Sequence, residues 1–157
     1  MHCVPPALQA DQWFSHAARF PFCLSEDLKQ KHNTMQTNDE TRIRDTIERY
    51  VEAMRAGIVA LLGSAFHEHA NIFGDFGDDQ MAGPIQTLFD RAAAELEPGA
   101  TDTDYRVEIE DMEIAGDVAS ARVHERDFFG GHAREFFTFV QSPDGWRIDR
   151  KSWAMIG

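Results

Sequence analysis

Along the chain the hydrophobic positions first recur with a helical period and then switch to a period of two. Ile43, Ile47, Tyr50, Val51 and Met54 fall on one face at helical spacing, which predicts a helix over roughly 38–56. Thr37 with Glu40 three residues later has the form of a capping box, and Gly57 that of a C-terminal cap. Ile58 to Leu62 reads as a second short helical run, Ala70 to Phe73 as a short strand, and 74–83 as a loop. Pro84 opens a further helix carrying Ile85, Leu88, Phe89, Ala92 and Leu96, which Pro98-Gly99 stops. Beyond residue 104 the alternation is that of strands. Tyr105, Val107 and Ile109 share a phase that shifts at Met112 and Ile114, so a bulge is expected near Asp111. Ala119, Ala121 and Val123 face one way, against Ser120, Arg122 and His124. Turns at 115–117, 130–131 and 142–145 separate this strand from strands over 134–140 and 146–155.

Helices followed by an antiparallel meander predict an α+β fold. Residues 1–34 keep no sustained period, mixing prolines with Trp13, Phe14, Phe20 and Phe22. They are expected to be an N-terminal extension, with the compact domain over 35–157. The competing expectation is a segment that docks on a partner subunit.

Charge and cysteine content narrow the function classes. The net charge of −12 argues against nucleic acid or an anionic membrane as partner, since both need a basic footprint. Cys3 and Cys23 lie near the N-terminus, so no disulfide framework is expected. No apolar run approaches a membrane span and no secretory signal pattern is present, so the expectation is a cytoplasmic protein. There is no P-loop, dinucleotide fingerprint, nucleophile elbow or C-x-x-C, which disfavours nucleotide, hydride-transfer and serine-hydrolase chemistry. No cofactor or resident metal is expected.

Arg49-Tyr50-Val51-Glu52-Ala53-Met54-Arg55-Ala56-Gly57 resembles the R-Y-V-x-A-x-x-A-G pattern of bacterial ketosteroid isomerases. Asp144-Gly145-Trp146-Arg147-Ile148, with Lys151 and Trp153, is similar to the SnoaL-like and putative lumazine-binding branches of the same superfamily. That superfamily is the nuclear transport factor 2-like one, and the resemblance runs from about residue 38 to the end. It implies a cone-shaped curved sheet closed by N-terminal helices around a pocket, and a homodimer formed through the sheet. It also implies a small hydrophobic or aromatic ligand with a polar oxygen.

The isomerases use a tyrosine and a protonated aspartic acid as oxyanion donors, with an aspartate as base. The resemblance puts the tyrosine at Tyr50 and the acidic donor near Glu135, where a surface position on the sheet is equally compatible. It puts the base at Gly74, which carries no carboxylate, so Asp75, His67 and His69 stand as candidate replacements. The H-x-H pair with nearby acids is also compatible with a metal, but its spacing alone is unspecific. Met54, Phe66, Phe73, Phe76, Phe89, Val123, Glu125, Phe137 and Trp153 are the expected pocket lining. The resulting expectation is a small-molecule-binding protein. The alternatives are an isomerase, dehydratase or cyclase using Tyr50 as donor, and a dimerising interaction module.

Overall fold

The computed structural model describes residues 26–76, 78–95, 105–128 and 130–157, with side chains from Thr34 onward except Phe76. Both cysteines and the four aromatic residues of the N-terminal segment lie outside the described residues.

The first helix, α1, spans Glu26–Ala56. It therefore runs straight through the expected start at residue 38. No glycine or proline lies between Glu26 and Thr37 to interrupt it. Thr37 is no cap: its carbonyl accepts from Thr41 Oγ1 at 3.1 Å, inside the helix. Glu40 instead pairs with Arg44, 2.9 Å away. The C-terminus behaves as expected. Gly57 has φ 65°, its N–H donates to Met54 O at 3.4 Å, and Ile58 N–H donates to Ala53 O at 3.1 Å. These two bonds form the Schellman arrangement, in which a left-handed residue lets the chain turn back and satisfy the last carbonyls.

A short helix α2, Val59–Gly63, leads into strands β1, Phe66–Phe76, and β2, Asp79–Pro84. These form a hairpin where a short strand and a loop were expected. Glycine and aspartate suggested the loop, but Ala70, Ile72 and Gly74 alternate as buried positions and carry the ladder. Helix α3, Gln86–Glu95, follows, and then strands β3, Arg106–Ala115, β4, Val118–Phe128, β5, Gly131–Ser142, and β6, Gly145–Met155.

The strands make one curved, unclosed sheet in the order β2-β1-β6-β5-β4-β3. All neighbours are antiparallel except β1 and β6, which run parallel. That pairing joins strands far apart in sequence, so local alternation carries no trace of it. The inner face packs against the apolar face of α1, where Ile43, Ile47, Tyr50, Val51 and Met54 are all buried. Polar bonds fix the register of that packing. Buried Thr46 Oγ1 donates to Trp146 O at 3.1 Å, and Trp146 Nε1 donates to Asp39 Oδ1 at 3.2 Å.

Three one-residue bulges decide which side chains face inward. The ladder between β3 and β4 skips a residue between Ile109 and Asp111, at the expected place. Asp127, at φ 57°, is the extra residue between β4 and β5, so Glu125 and Phe128 both point inward and Asp127 does not continue their face. Asp149 is the extra residue on β6, between the pairs Phe139–Ile148 and Thr138–Arg150. Because side chains alternate with period two, one inserted residue exchanges the faces beyond it. Trp146 and Ile148 are buried before the bulge, and Lys151 and Trp153 after it. The outer face carries the exposed Phe73 and Phe136.

Candidate functional site

The inner face of the sheet holds five polar side chains buried among aromatic rings. Tyr50 on α1, Tyr105 just before β3, Glu125 on β4, Glu135 on β5 and Lys151 on β6 are each at most 4% exposed. They fall into two linked groups. Tyr105 Oη donates to Glu125 Oε1 at 2.7 Å. Tyr50 Oη donates to Glu135 Oε1 at 3.4 Å, and Lys151 Nζ donates to the same oxygen. Lys151 lies over the Trp153 ring, 4.2 Å from its centroid, with Tyr50 at 5.5 Å and Phe137 at 5.9 Å. Aromatic faces of this kind stabilise a buried ammonium where water cannot reach it.

The electrostatics follow from burial. Removal from water, then the Glu125 carboxylate, pushes the Glu135 carboxyl up to about 8, against the opposing pull of the Lys151 ammonium. Tyr50 and Tyr105 are both held well above the ordinary phenol value, first by burial and then by Glu125 and Glu135. Both phenols therefore stay protonated and act as donors. One oxygen of each carboxyl, Glu125 Oε2 and Glu135 Oε2, is buried without a hydrogen-bond partner among the described residues. Buried polar atoms ordinarily have a partner, so these two oxygens are the unsatisfied acceptor positions of the cluster.

A groove of about 540 Å³ between α1 and β3 is lined by Ile47, Val51, Arg55 and Val107 among others. Arg55 reaches from that groove to the cluster: its Nη2 donates to Tyr105 O at 2.6 Å and its guanidinium sits 5.4 Å from the Tyr105 ring centroid. A larger groove of about 700 Å³ runs past Glu40, Arg44 and Glu110–Glu113, away from the buried cluster.

Of the expected residues, Tyr50 and Glu135 are brought into hydrogen-bonding reach, and Glu135 is buried in the core rather than on the surface. Glu125, Phe137, Trp153, Val123, Met54 and Phe66 are buried on or against the same inner face. Phe89 packs edge-on against Phe66, with centroids 5.9 Å apart. Phe73 does not belong with them. It is 54% exposed on the outer face, because its neighbours Ile72 and Gly74 take the inward phase. The side chain of Phe76 lies outside the described residues.

The three candidate bases are not gathered at the cluster. The His69 side chain is 81% exposed, and the His67 ring meets it edge-on with centroids 5.6 Å apart. Neither appears in a group able to hold a metal, and no such group is found among the described residues. Asp75 takes the phase opposite to Gly74, and its carbonyl accepts from Trp153 Nε1 at 2.8 Å. Gly74 itself has a steric reason. A Cβ there would lie 2.1 Å from Trp153 Cδ2, so the indole occupies the space that a side chain would need.

Lys151, read only as part of the family motif, and Tyr105, read only as a strand position, were not among the expected site residues. The signal for Lys151 was the phase change along the last strand, from Trp146 and Ile148 to Trp153.

A curved sheet wrapped on a long helix, with a polar cluster sunk in its concave face, defines a nuclear transport factor 2-like protein. More narrowly, the chain belongs to the family described as putative lumazine-binding, whose model matches residues 38–154. Among solved structures it is similar to an NTF2-like protein of unknown function from Shewanella baltica, with a TM-score of 0.68 and 25% identity over 77% of this chain and 96% of that one. One from Methylobacillus flagellatus gives a TM-score of 0.68 and 26% identity over 76% and 94%. A protein described as a putative dehydratase of the NTF2-like family, from Streptomyces avermitilis, shares the fold at a TM-score of 0.58 and 16% identity, over 78% and 98%. No curated protein matches the sequence.

Proposed function

We propose that the chain binds a small aromatic or hydrophobic molecule that carries both a carbonyl oxygen and an O–H or N–H group. The observation that supports this reading is the pair of orphaned carboxyl oxygens, Glu125 Oε2 and Glu135 Oε2. With its value raised to about 8, Glu135 is mostly a neutral carboxyl at pH 7. Its Oε1 already accepts from Lys151 and Tyr50, so the proton belongs on Oε2 and points to an acceptor on the ligand. Glu125 Oε1 accepts from Tyr105, which leaves Oε2 free to accept from a ligand donor. Phe137 and Trp153 supply apolar contact, as small-molecule sites do around a few fixed polar groups.

The test is a thermal-shift comparison of 4-hydroxybenzamide with its methyl ether, 4-methoxybenzamide. The first is expected to raise Tm and the second not. Stabilisation by mass action reaches about 2.7 kcal/mol at a hundred times Kd. Equal shifts from both compounds, or none from either, would overturn the reading.

A second reading, an acid–base enzyme of the isomerase or lyase type, is favoured by the value of Glu135 alone. A carboxyl poised near neutral pH beside a phenol donor has the properties of a general acid or base. On this reading the methyl protons of 4-hydroxyacetophenone exchange with deuterated solvent faster than in buffer. Glu135→Gln should abolish the excess. No excess exchange in the unmodified protein counts against catalysis.

A further inference from the structure

Lys151 is chemically singular in this chain. The lysines are Lys29, Lys31 and Lys151, and every other basic side chain from residue 42 onward, histidine apart, is an arginine. The domain thus uses guanidinium at its other basic positions and places its one amine in the core, 4% exposed. A guanidinium stays charged and is a poor nucleophile, whereas an amine can shed its proton when buried. If charge pairing with Glu135 were all that the position required, an arginine would supply it with more donors.

The surroundings suit a different use. Nζ lies over the faces of Trp153, Tyr50 and Phe137, and the side chain is buried. Its partner is Glu135, and the second oxygen of that carboxyl is buried and without a partner among the described residues, next to the amine rather than on a distant side chain. The bulge at Asp149 is what turns Lys151 into this environment. A desolvated amine, a proton carrier in contact with it, and an apolar enclosure are the components of an imine-forming site.

We propose that Lys151 is a nucleophile that condenses reversibly with the carbonyl carbon of an aldehyde or ketone ligand, with Glu135 carrying the proton. The proposal rests on the ligand reading above and deepens it. In the fraction of molecules whose Glu135 is ionised, the ammonium first gives a proton to that carboxylate. The free amine then attacks the carbonyl carbon, and the carbonyl π electrons move to oxygen. A proton passes from nitrogen to that oxygen to give the carbinolamine. Glu135 returns its proton to the hydroxyl, the carbon–oxygen bond breaks, and water leaves. The product is a protonated imine whose counter-ion is the Glu135 carboxylate. The balance is one ammonium plus one carbonyl giving one iminium plus one water. The raised proton affinity of Glu135 supports the first transfer.

The experiment treats the full chain at pH 7 with 4-hydroxybenzaldehyde and sodium cyanoborohydride, which reduces the imine to a stable 4-hydroxybenzylamine. Peptide mass spectrometry then follows labelling at each lysine with time. The expected result is labelling of Lys151 about tenfold faster than of Lys29 or Lys31, an advantage that desolvation and a proton carrier supply. The advantage should disappear in urea, where the three amines become equivalent. This comparison within one protein needs no variant, so it survives any folding defect of Lys151→Arg, which should remove the fast site and leave the slow ones. Lys151 labelled no faster than the other two would overturn the imine. If 4-hydroxybenzamide still raises Tm in that case, the binding reading stands and only the covalent step falls. If both measurements are negative, both readings fall.

Discussion

Lys151→Met and Glu135→Leu are each expected to lower the unfolding free energy by about 3–5 kcal/mol, while the double replacement loses far less than their sum. The physical reason is asymmetric. Both groups are out of water, Lys151 at 4% exposure and Glu135 at 1%, so the Lys151 ammonium, and the Glu135 carboxylate wherever it is ionised, is tolerated only because the other group is in contact with it. Removing one leaves an uncompensated charge in an apolar enclosure of Phe137, Trp153 and Tyr50. Removing both substitutes apolar volume for the pair, and such substitutions of a buried ion pair are often neutral. The two single variants differ in how they escape. With Lys151 gone, Glu135 can remain a neutral carboxyl, a form that burial already favours. With Glu135 gone, Lys151 has only Glu125 nearby among the acidic residues of the cluster. Glu135→Leu is therefore the costlier of the two at pH 7. Urea unfolding of the four proteins gives the coupling energy directly. Costs that simply add would show that the two groups do not stabilise each other and would remove the basis for treating them as one unit.

How far the sequence revealed this site depends on which physical signal each residue left. The helical face of Ile43, Ile47, Tyr50, Val51 and Met54 is periodic, and the structure buries all five. The Gly57 stop is legible because only a residue tolerant of positive φ fits there. The bulge in β3 was readable from the phase change between Ile109 and Met112. The same rule applies to β4 at Asp127 and to β6 at Asp149, and there it identifies the inward faces of Glu125 and Lys151. What could not be read is non-local. The contact of Tyr50 with Glu135 spans 85 residues, and that of Tyr105 with Glu125 depends on the pairing of β3 with β4. The parallel pairing of β1 with β6 sets Trp153 over Gly74, and so explains a glycine that sequence comparison alone leaves as an unfilled catalytic position. His67 and His69 attracted notice by residue type, yet β1 departs from regular pairing with β6 between Phe66 and Asn71, and His69 is turned to solvent.

The stability of the protein should fall as pH rises from about 4.5 to about 8, and Glu135→Gln should remove that part of the fall. An unfolded glutamate has its ordinary value of 4.5, whereas burial raises Glu135 to about 8 in the folded chain. Between these limits the folded state keeps a proton that the unfolded state has released. Stability then declines with pH, by at most about 1.4 kcal/mol per pH unit for one proton. Below 4.5 both states hold the proton and the favourable contribution is complete. Above 8 both have lost it, and the buried carboxylate destabilises the fold by a constant amount. Three other groups act outside this window. Tyr50 and Tyr105, raised well above 10, make the folded state lose further stability in strong alkali. Glu110, lowered chiefly by its hydrogen bond from Arg122, works in the opposite sense: its contribution is present above its unfolded value and lost in acid. It is exposed and unaffected by the substitution, so the difference between the wild-type and Glu135→Gln curves isolates Glu135. Urea unfolding at intervals from pH 4 to pH 9 measures that difference. A steady decline across the window is the expected result. Parallel curves would mean that Glu135 is already ionised at neutral pH and paired with the Lys151 ammonium. In that case Oε2 carries no proton for a ligand carbonyl, and Glu135 would serve Lys151 only as a fixed counter-charge.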